Sequence, residues 1–392
     1  MAASDRAGRF VRQSPGSGGY SAFVPAPLPP DPPLDLDVEL HDLLEIANRA
    51  LGRLDGASLV VPDRDLLLYT HIRREAVLSS QIEGTQSSLS DLLLFENAEA
   101  PGVPIDDVRE VSNYAAAMEH GLARLRGGFP LSLRLIREIH DRLVRGSRGA
   151  DRTPGEFRRS QNWIGGTMPG NAFFVPPPVH EVMPALDHLE KFIQDHASRT
   201  PALMKAALAH AQFETIHPFL DGNGRVGRLL VTFLLCAEGA LREPLLYLSL
   251  FLKEHRAEYY ASLQRIRTDG DWEGWLRFFV RGVGVVADQG VGTIQKLIAL
   301  FDRDRRRVQE TLGARKALST LRVHDVLKQR AVTSIPLAAT ATGLTPPTVA
   351  SAIESLEELG IVREVTARRR NRQFLYTDYL DTLNEGIKAP AS

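Results

Sequence analysis

The chain has 392 residues, 43% hydrophobic and 24% charged, with 47 basic against 48 acidic side chains and a formal net charge of −1. Such a length suggests two or three globular domains with a sizeable core, and the balanced charge gives no whole-molecule field that would draw a polyanion. A lone cysteine, Cys236, excludes an intrachain disulfide and a cysteine-built zinc site. No apolar run is long enough to span a bilayer, and the polar N-terminus lacks the apolar stretch of a signal peptide, so a cytoplasmic location without a membrane partner is expected.

Residues 1–35 are rich in Gly, Ser and Pro and end in PAPLPPDPP, which predicts a flexible or extended N-terminus. Residues 36–107 read as a helical region. VELHDLLEIANRALGRLDG is one helix, DRDLLLYTHIRREAVLSSQIEG a second that closes near Gly84, and a third follows from about Ser90. Over 108–285 the three- and four-residue apolar spacing continues, interrupted between Gly155 and Pro178, where bulky β-formers flank a Pro-Gly-Asn turn in the pattern of a β-hairpin. A linker helix is expected over 286–316. Over 317–380 a helix is followed by a short helix, a turn at Gly343, and a longer helix opening at Thr345 and Pro346. Two short strands around a basic turn then complete the order of a winged helix, and 381–392 form a tail.

Chemistry concentrates in HPFLDGNGRVGR, residues 217–228. A glycine-containing loop that leads into a helix leaves backbone N–H groups free for an anion. Gly222 and Gly224 permit close backbone approach, Asn223 adds a neutral donor, and Arg225 and Arg228 add cationic forks to the first helical turn. Asp221 sits where a hard cation bound to a phosphate needs a carboxylate, although alone it reads equally as a helix N-cap. His217 stands at the entrance, suited to act as a general base. The loop lacks the Gly-Lys-Ser/Thr ending of a Walker A motif and does not follow a strand as a dinucleotide fingerprint would.

HPFLDGNGRVGR resembles the signature of the Fic family, HPFx(D/E)GNGRxxR, throughout its length. GEFR, the WIGG…FVPPP hairpin and the EYYASL helix follow the family order between about 35 and 285. The resemblance implies a mainly α fold, a Fic-type helical core with a β-hairpin flap, and transfer of AMP from ATP to Ser, Thr or Tyr hydroxyls of proteins, including its own. It also implies roles for single residues. His217 would deprotonate the target hydroxyl, and Asp221 would hold Mg²⁺. Gly222, Asn223, Gly224 and Arg225 would bind the α- and β-phosphates, with Gly227 in the same nucleotide-binding set, and Arg228 would contact the γ-phosphate. Ile164, Gly165 and Gly166 of the flap would cover the nucleotide, and Tyr259 and Tyr260 match positions near adenine, of which one is expected to line a pocket and the other to be core.

SSQIEGT resembles the family's inhibitory motif, (S/T)xxxE(G/N), with Ser79, Glu83 and Gly84 in the matching places. The implied mechanism is an ion pair from Glu83 to Arg228 that withholds the arginine from ATP. Removal of AMP by the same site, use of another nucleotide such as UTP, and a DNA-binding regulator that only senses nucleotide stay open as alternatives. For the C-terminal unit DNA and protein contact remain equal: Arg368, Arg369, Arg370 and Arg372 make the turn basic, but Glu354, Glu357 and Glu358 oppose base reading from the candidate recognition helix, whose start carries Thr345, Thr348 and Ser351. A homodimer follows from resemblance alone.

Overall fold

The computed structural model describes residues 6–13, 19–59, 64–97, 104–147, 149–366 and 372–385. The N-terminal stretch, expected to be flexible, is instead a β-ribbon. Strands β1 (Gly8–Gln13) and β2 (Tyr20–Pro25) pair antiparallel, with Phe10 opposite Phe23. The Gly/Ser/Pro composition masked two β-forming stretches, GRFVRQ and YSAFVP. Phe23 is buried against Phe174, and its N–H donates to the Val175 carbonyl at 2.9 Å. The proline run beyond β2 is pinned as well. Arg6 donates to the carbonyls of Pro32 and Pro33 and pairs with Glu273, which also accepts the Asp35 N–H.

Helix α1 (Val38–Leu59) is capped by Asp37, whose carboxylate accepts the Leu40 N–H at 2.9 Å. Its stripe of Leu40, Leu44, Ala47, Leu51 and Leu54 is buried, each leucine contributing about 1.5–3 kcal/mol. Next come α2 (Arg64–Ile82), α3 (Leu89–Asn97), α4 (Ile105–Arg126) and α5 (Leu133–Val144). The expected hairpin follows, narrowed to one antiparallel bridge, Ile164 with Phe174. Gly165 and Gly166 take φ of 68° and 69°, and the Asn171 side chain accepts the N–H groups of Thr167 and Met168, which closes the turn too tightly for a longer ladder.

The body is completed by α6 (Val179–Gln194), α7 (Ala202–Ile216), α8 (Asn223–Ala237), α9 (Ser249–Glu254) and α10 (Arg256–Asp269). From Leu203 onward α7 is buried on every face, so it forms the centre of the core, as an all-round apolar helix must. Helix α11 (Trp272–Thr311) runs unbroken for 40 residues. The boundary expected at 285/286 therefore falls inside one helix, because its apolar spacing continues against α1: Gly284 meets Ala47 and Gly290 meets Leu54.

Beyond α11 lie α12 (Ala314–Arg330), β3 (Val332–Ser334), α13 (Ile335–Thr342), α14 (Pro346–Glu358), β4 (Val362–Glu364), β5 (Gln373–Tyr376) and α15 (Thr377–Asn384). The strands form an antiparallel sheet in the order β3-β5-β4. This part packs on α2 through α12 and through Tyr379, whose hydroxyl lies 3.1 Å from Thr70 Oγ1. Arg368, Arg369 and Arg370 lie outside the described residues. Arg372, counted as a phosphate contact, is instead paired with Glu364 at the end of β4 at 2.6 Å and lies 3.8 Å from Glu357 of α14, because β5 brings it beside both acids. Among the described residues no helix is long and apolar enough to cross a membrane.

Candidate active site

Helix α7 ends at His217, which adopts the left-handed conformation with φ 50° and ψ 59°. A non-glycine residue there costs about 1 kcal/mol, and the reversal is held from outside. Arg158 Nε and Asn162 Nδ2 both donate to the His217 carbonyl, at 3.0 and 3.1 Å, and the Arg158 N–H donates to the Pro218 carbonyl at 2.8 Å. Phe219 stacks on His140 with ring centres 3.7 Å apart. Because His140 Nδ1 accepts the Gly155 N–H at 2.9 Å, its Nε2 carries the proton and donates to the Asp221 carbonyl at 3.1 Å. The loop is thus rigid before any ligand arrives.

Burial, then the charges of Arg267 and Arg158, pull His217 down to about 4, against the opposing pull of the Glu214 carbonyl and Glu83. The imidazole is therefore neutral near pH 7 and able to accept a proton.

Helix α8 opens after Gly222, at φ 77°, and its first internal bond runs from Val226 N–H to the Gly222 carbonyl. The N–H groups of Asn223, Gly224 and Arg225 have no acceptor inside the helix. The Asn223 amide accepts from the Phe219 N–H and donates one of its two hydrogens to the Phe219 carbonyl, both at 2.8 Å, which locks the side chain against the loop. Arg225 is buried between Glu110 and Asp221, each 3.7 Å away, with Nε and Nη1 lacking hydrogen-bond partners. Buried guanidinium donors left over in this way point to an anionic ligand.

Over this cradle stands Glu83. Its carboxylate accepts from Arg228 Nη2 at 2.7 Å, while Arg228 Nε donates to Ser79 Oγ at 2.7 Å and Nη2 to the Ser79 carbonyl at 3.0 Å. Burial opposes charge on Glu83, but Arg228 outweighs it and holds the carboxyl below its usual range. A Cβ at Gly224 would run into Glu83 Oε1 and Arg228 Nη1, so glycine there is what lets the acid lie on the helix end. Gly84, at φ 101°, turns the chain directly after it.

A cavity of about 280 Å³ brings together Glu83, Glu110, His217, Leu220, Asp221, Gly222, Asn223, Gly224 and Arg225. Asp221 fixes one carboxylate oxygen on the Gly222 N–H at 2.6 Å and is 41% exposed. One exposed carboxylate suits Mg²⁺ that arrives on phosphates and keeps several waters.

Other expected residues do not line this cavity. Gly227 is a packing glycine: a Cβ there would strike Glu214, and its carbonyl accepts from His210 Nδ1 at 2.9 Å. Tyr259 is core, 1% exposed, with its hydroxyl on His210 Nε2 at 2.8 Å, whereas Tyr260 is 39% exposed. Ile164, Gly165 and Gly166 belong to the flap turn. Sequence reasoning missed Arg158, Asn162, His140 and Glu110. GEFR signalled Arg158, but nothing in the spacing showed that its side chain clamps a loop 59 residues away.

Residues 41–123 match the Fic/DOC family N-terminal region, and residues 130–235 match the Fic/DOC family. The protein adenylyltransferase Fic of Aedes aegypti is 34% identical over 249 residues, which are 62% of this chain and 46% of that protein. Its namesake in Drosophila melanogaster is 30% identical over 200 residues, 50% of this chain and 37% of that one. The chain thus spans less than half the length of these curated relatives. A Fic family protein from Desulfovibrio desulfuricans superposes with a TM-score of 0.58 at 18% identity, covering 88% of this chain and 98% of its own. A Fic domain containing signaling protein from Bacteroides thetaiotaomicron does so at 0.51 and 20% identity, over 64% of this chain and 95% of its own. Both support the fold, a mainly helical Fic core. Glu83 thus lies in the segment that matches the Fic/DOC family N-terminal region, and His217 to Arg228 in the segment that matches the Fic/DOC family.

Proposed function

We propose that this protein transfers AMP from ATP to Ser, Thr or Tyr hydroxyls of proteins, and that Glu83 is its built-in brake. The observation that carries the reading is a neutral histidine beside a helix N-terminus whose free N–H groups and unpaired Arg225 donors await an anion. In this reading the target hydroxyl gives its proton to His217 while its oxygen attacks the α-phosphorus. The bond to the β-phosphate oxygen breaks, and pyrophosphate leaves. The N–H groups of Asn223, Gly224 and Arg225, with the Arg225 side chain, stabilise charge that grows on the phosphates, while the Gly222 N–H holds the Asp221 carboxylate. Asp221 would hold Mg²⁺, which supplies charge neutralisation when bound. Arg228, once released from Glu83, would take the γ-phosphate. The C-terminal helices and three-stranded sheet are read as a winged helix, a docking module for DNA or protein.

The test is AMP transfer from α-labelled ATP with Mg²⁺ into cell lysate and into the protein itself. We expect strong labelling by Glu83→Gly, weak labelling by wild type, and none by His217→Ala or the double variant. Equal absence in all four would refute adenylyl transfer. Because Glu83 shares the cavity with His217, a carboxylate also stands where it can orient water, which favours AMP removal as the second reading. Release of AMP from a modified protein, lost in Glu83→Gly, would identify it.

A further inference from the structure

Arg267 lies in the last turn of α10 and is 4% exposed. Its Nη2 donates to the Glu214 carbonyl and its Nε to Thr215 Oγ1, both at 3.2 Å. These acceptors belong to the last turn of α7, directly before His217. On its other side the guanidinium carbon lies 3.8 Å from the ring centre of Phe174. Phe174 is the flap residue whose N–H and carbonyl both pair with Ile164. A buried cation costs several kcal/mol unless it is well paired, and the nearby charge of Glu214 is the attraction that opposes the burial of this one. What arginine adds is a pair of directed donors on one edge and a flat cationic face for an aromatic ring.

We infer that Arg267 is a positioning residue for the transfer reaction, one that ties the flap, an edge along which an extended target segment can pair, to the end of the helix bearing His217 and so fixes the distance between target and base. This rests on the adenylyl-transfer reading above. The flap has a single backbone bridge of its own, so its placement depends on what holds it from outside: Phe174 on Arg267 within, and Phe23 behind, through its ring and its N–H bond to the Val175 carbonyl. Misplacing a reacting group by about 1 Å costs on the order of a hundredfold in rate, so loosening this anchor acts on turnover rather than on ATP binding.

The experiment uses the full chain carrying Glu83→Gly, with self-labelling by α-labelled ATP and Mg²⁺ and with hydrogen exchange of the segment 160–176. Arg267→Leu and Phe174→Leu should each lower the maximal labelling rate roughly tenfold or more while the KM for ATP stays within about twofold. The double variant should lose no more than the worse single one, since both cut the same link. Arg267→Lys, which keeps charge without the flat face, should fall between. Exchange in 160–176 should quicken in both single leucine variants and in the double variant. Exchange in Arg267→Leu equal to that of its parent, or rate losses that multiply in the double variant, would overturn the inference. Exchange needs no transfer activity, so it decides the point even if Glu83→Gly takes no label, an outcome that would sink only the functional reading.

Discussion

His140, His210, His217 and His324 are each drawn by burial from an ordinary 6.5 to about 4. Glu75 and Glu214 are each pushed by burial from 4.5 up to about 7. These shifts oppose one another in stability. Between about pH 5 and 6 the unfolded chain protonates the four histidines, which the folded chain holds neutral, so their stabilisation is lost as pH falls. Over the same range the folded chain keeps two carboxyls protonated that the unfolded chain ionises, which stabilises the fold as pH falls. Histidines outnumber carboxyls by two, so net stability should drop on acidification, by at most about 3 kcal/mol per pH unit. Glu75→Gln removes one opposing group and should steepen the decline. Thermal unfolding followed across this window decides it, and a flat profile in both proteins would contradict the assignment.

Between elements, one tight constraint is the crossing of α7 and α8, where Gly227 admits the Glu214 and His210 side chains. Gly227→Ala should destabilise the protein by about 1–3 kcal/mol through overpacking and should lower labelling in a Glu83→Gly background, because α8 carries the phosphate cradle. Unchanged stability in denaturant titration would show that the helices can part at no cost. The same crossing shows what was legible beforehand. The twelve-residue motif grouped His217, Asp221 and Arg225, and they line one cavity because they stand on one loop and one helical turn. The Glu83 to Arg228 pair was legible only through resemblance, since 145 residues separate the partners. Gly227 and Tyr259 look alike as glycine or tyrosine whether they touch a ligand or fill a core. The second task of Asn223 was hidden for a related reason: its amide serves Phe219 four residues back, and spacing does not reveal which partner an amide selects. The N-terminal ribbon went unseen because composition averaged its two strands with the glycines and prolines around them.

At the scale of the molecule, α2 touches both halves. One end holds Arg228 through Ser79 and Glu83, and the other meets Tyr379 through Thr70. Arg74 between them donates to the Glu385 carbonyl and lies over the Tyr247 ring. With α11 also shared, the catalytic and C-terminal parts should unfold together. Scanning calorimetry of the intact chain is expected to show one transition, and Leu297→Ala, buried within α11, should lower that whole transition by about 2–5 kcal/mol. Two resolved transitions would mean that the shared helices do not couple the parts.

The pairing of α1 with α11 also sets a schedule for synthesis. The apolar stripe of α1 leaves the ribosome well over two hundred residues before its partner. At roughly 5–20 residues per second, that stripe waits on the order of ten to fifty seconds with its leucines uncovered. Throughout that interval the half-made chain presents an adhesive helix, open to the cell's holding chaperones until α11 arrives.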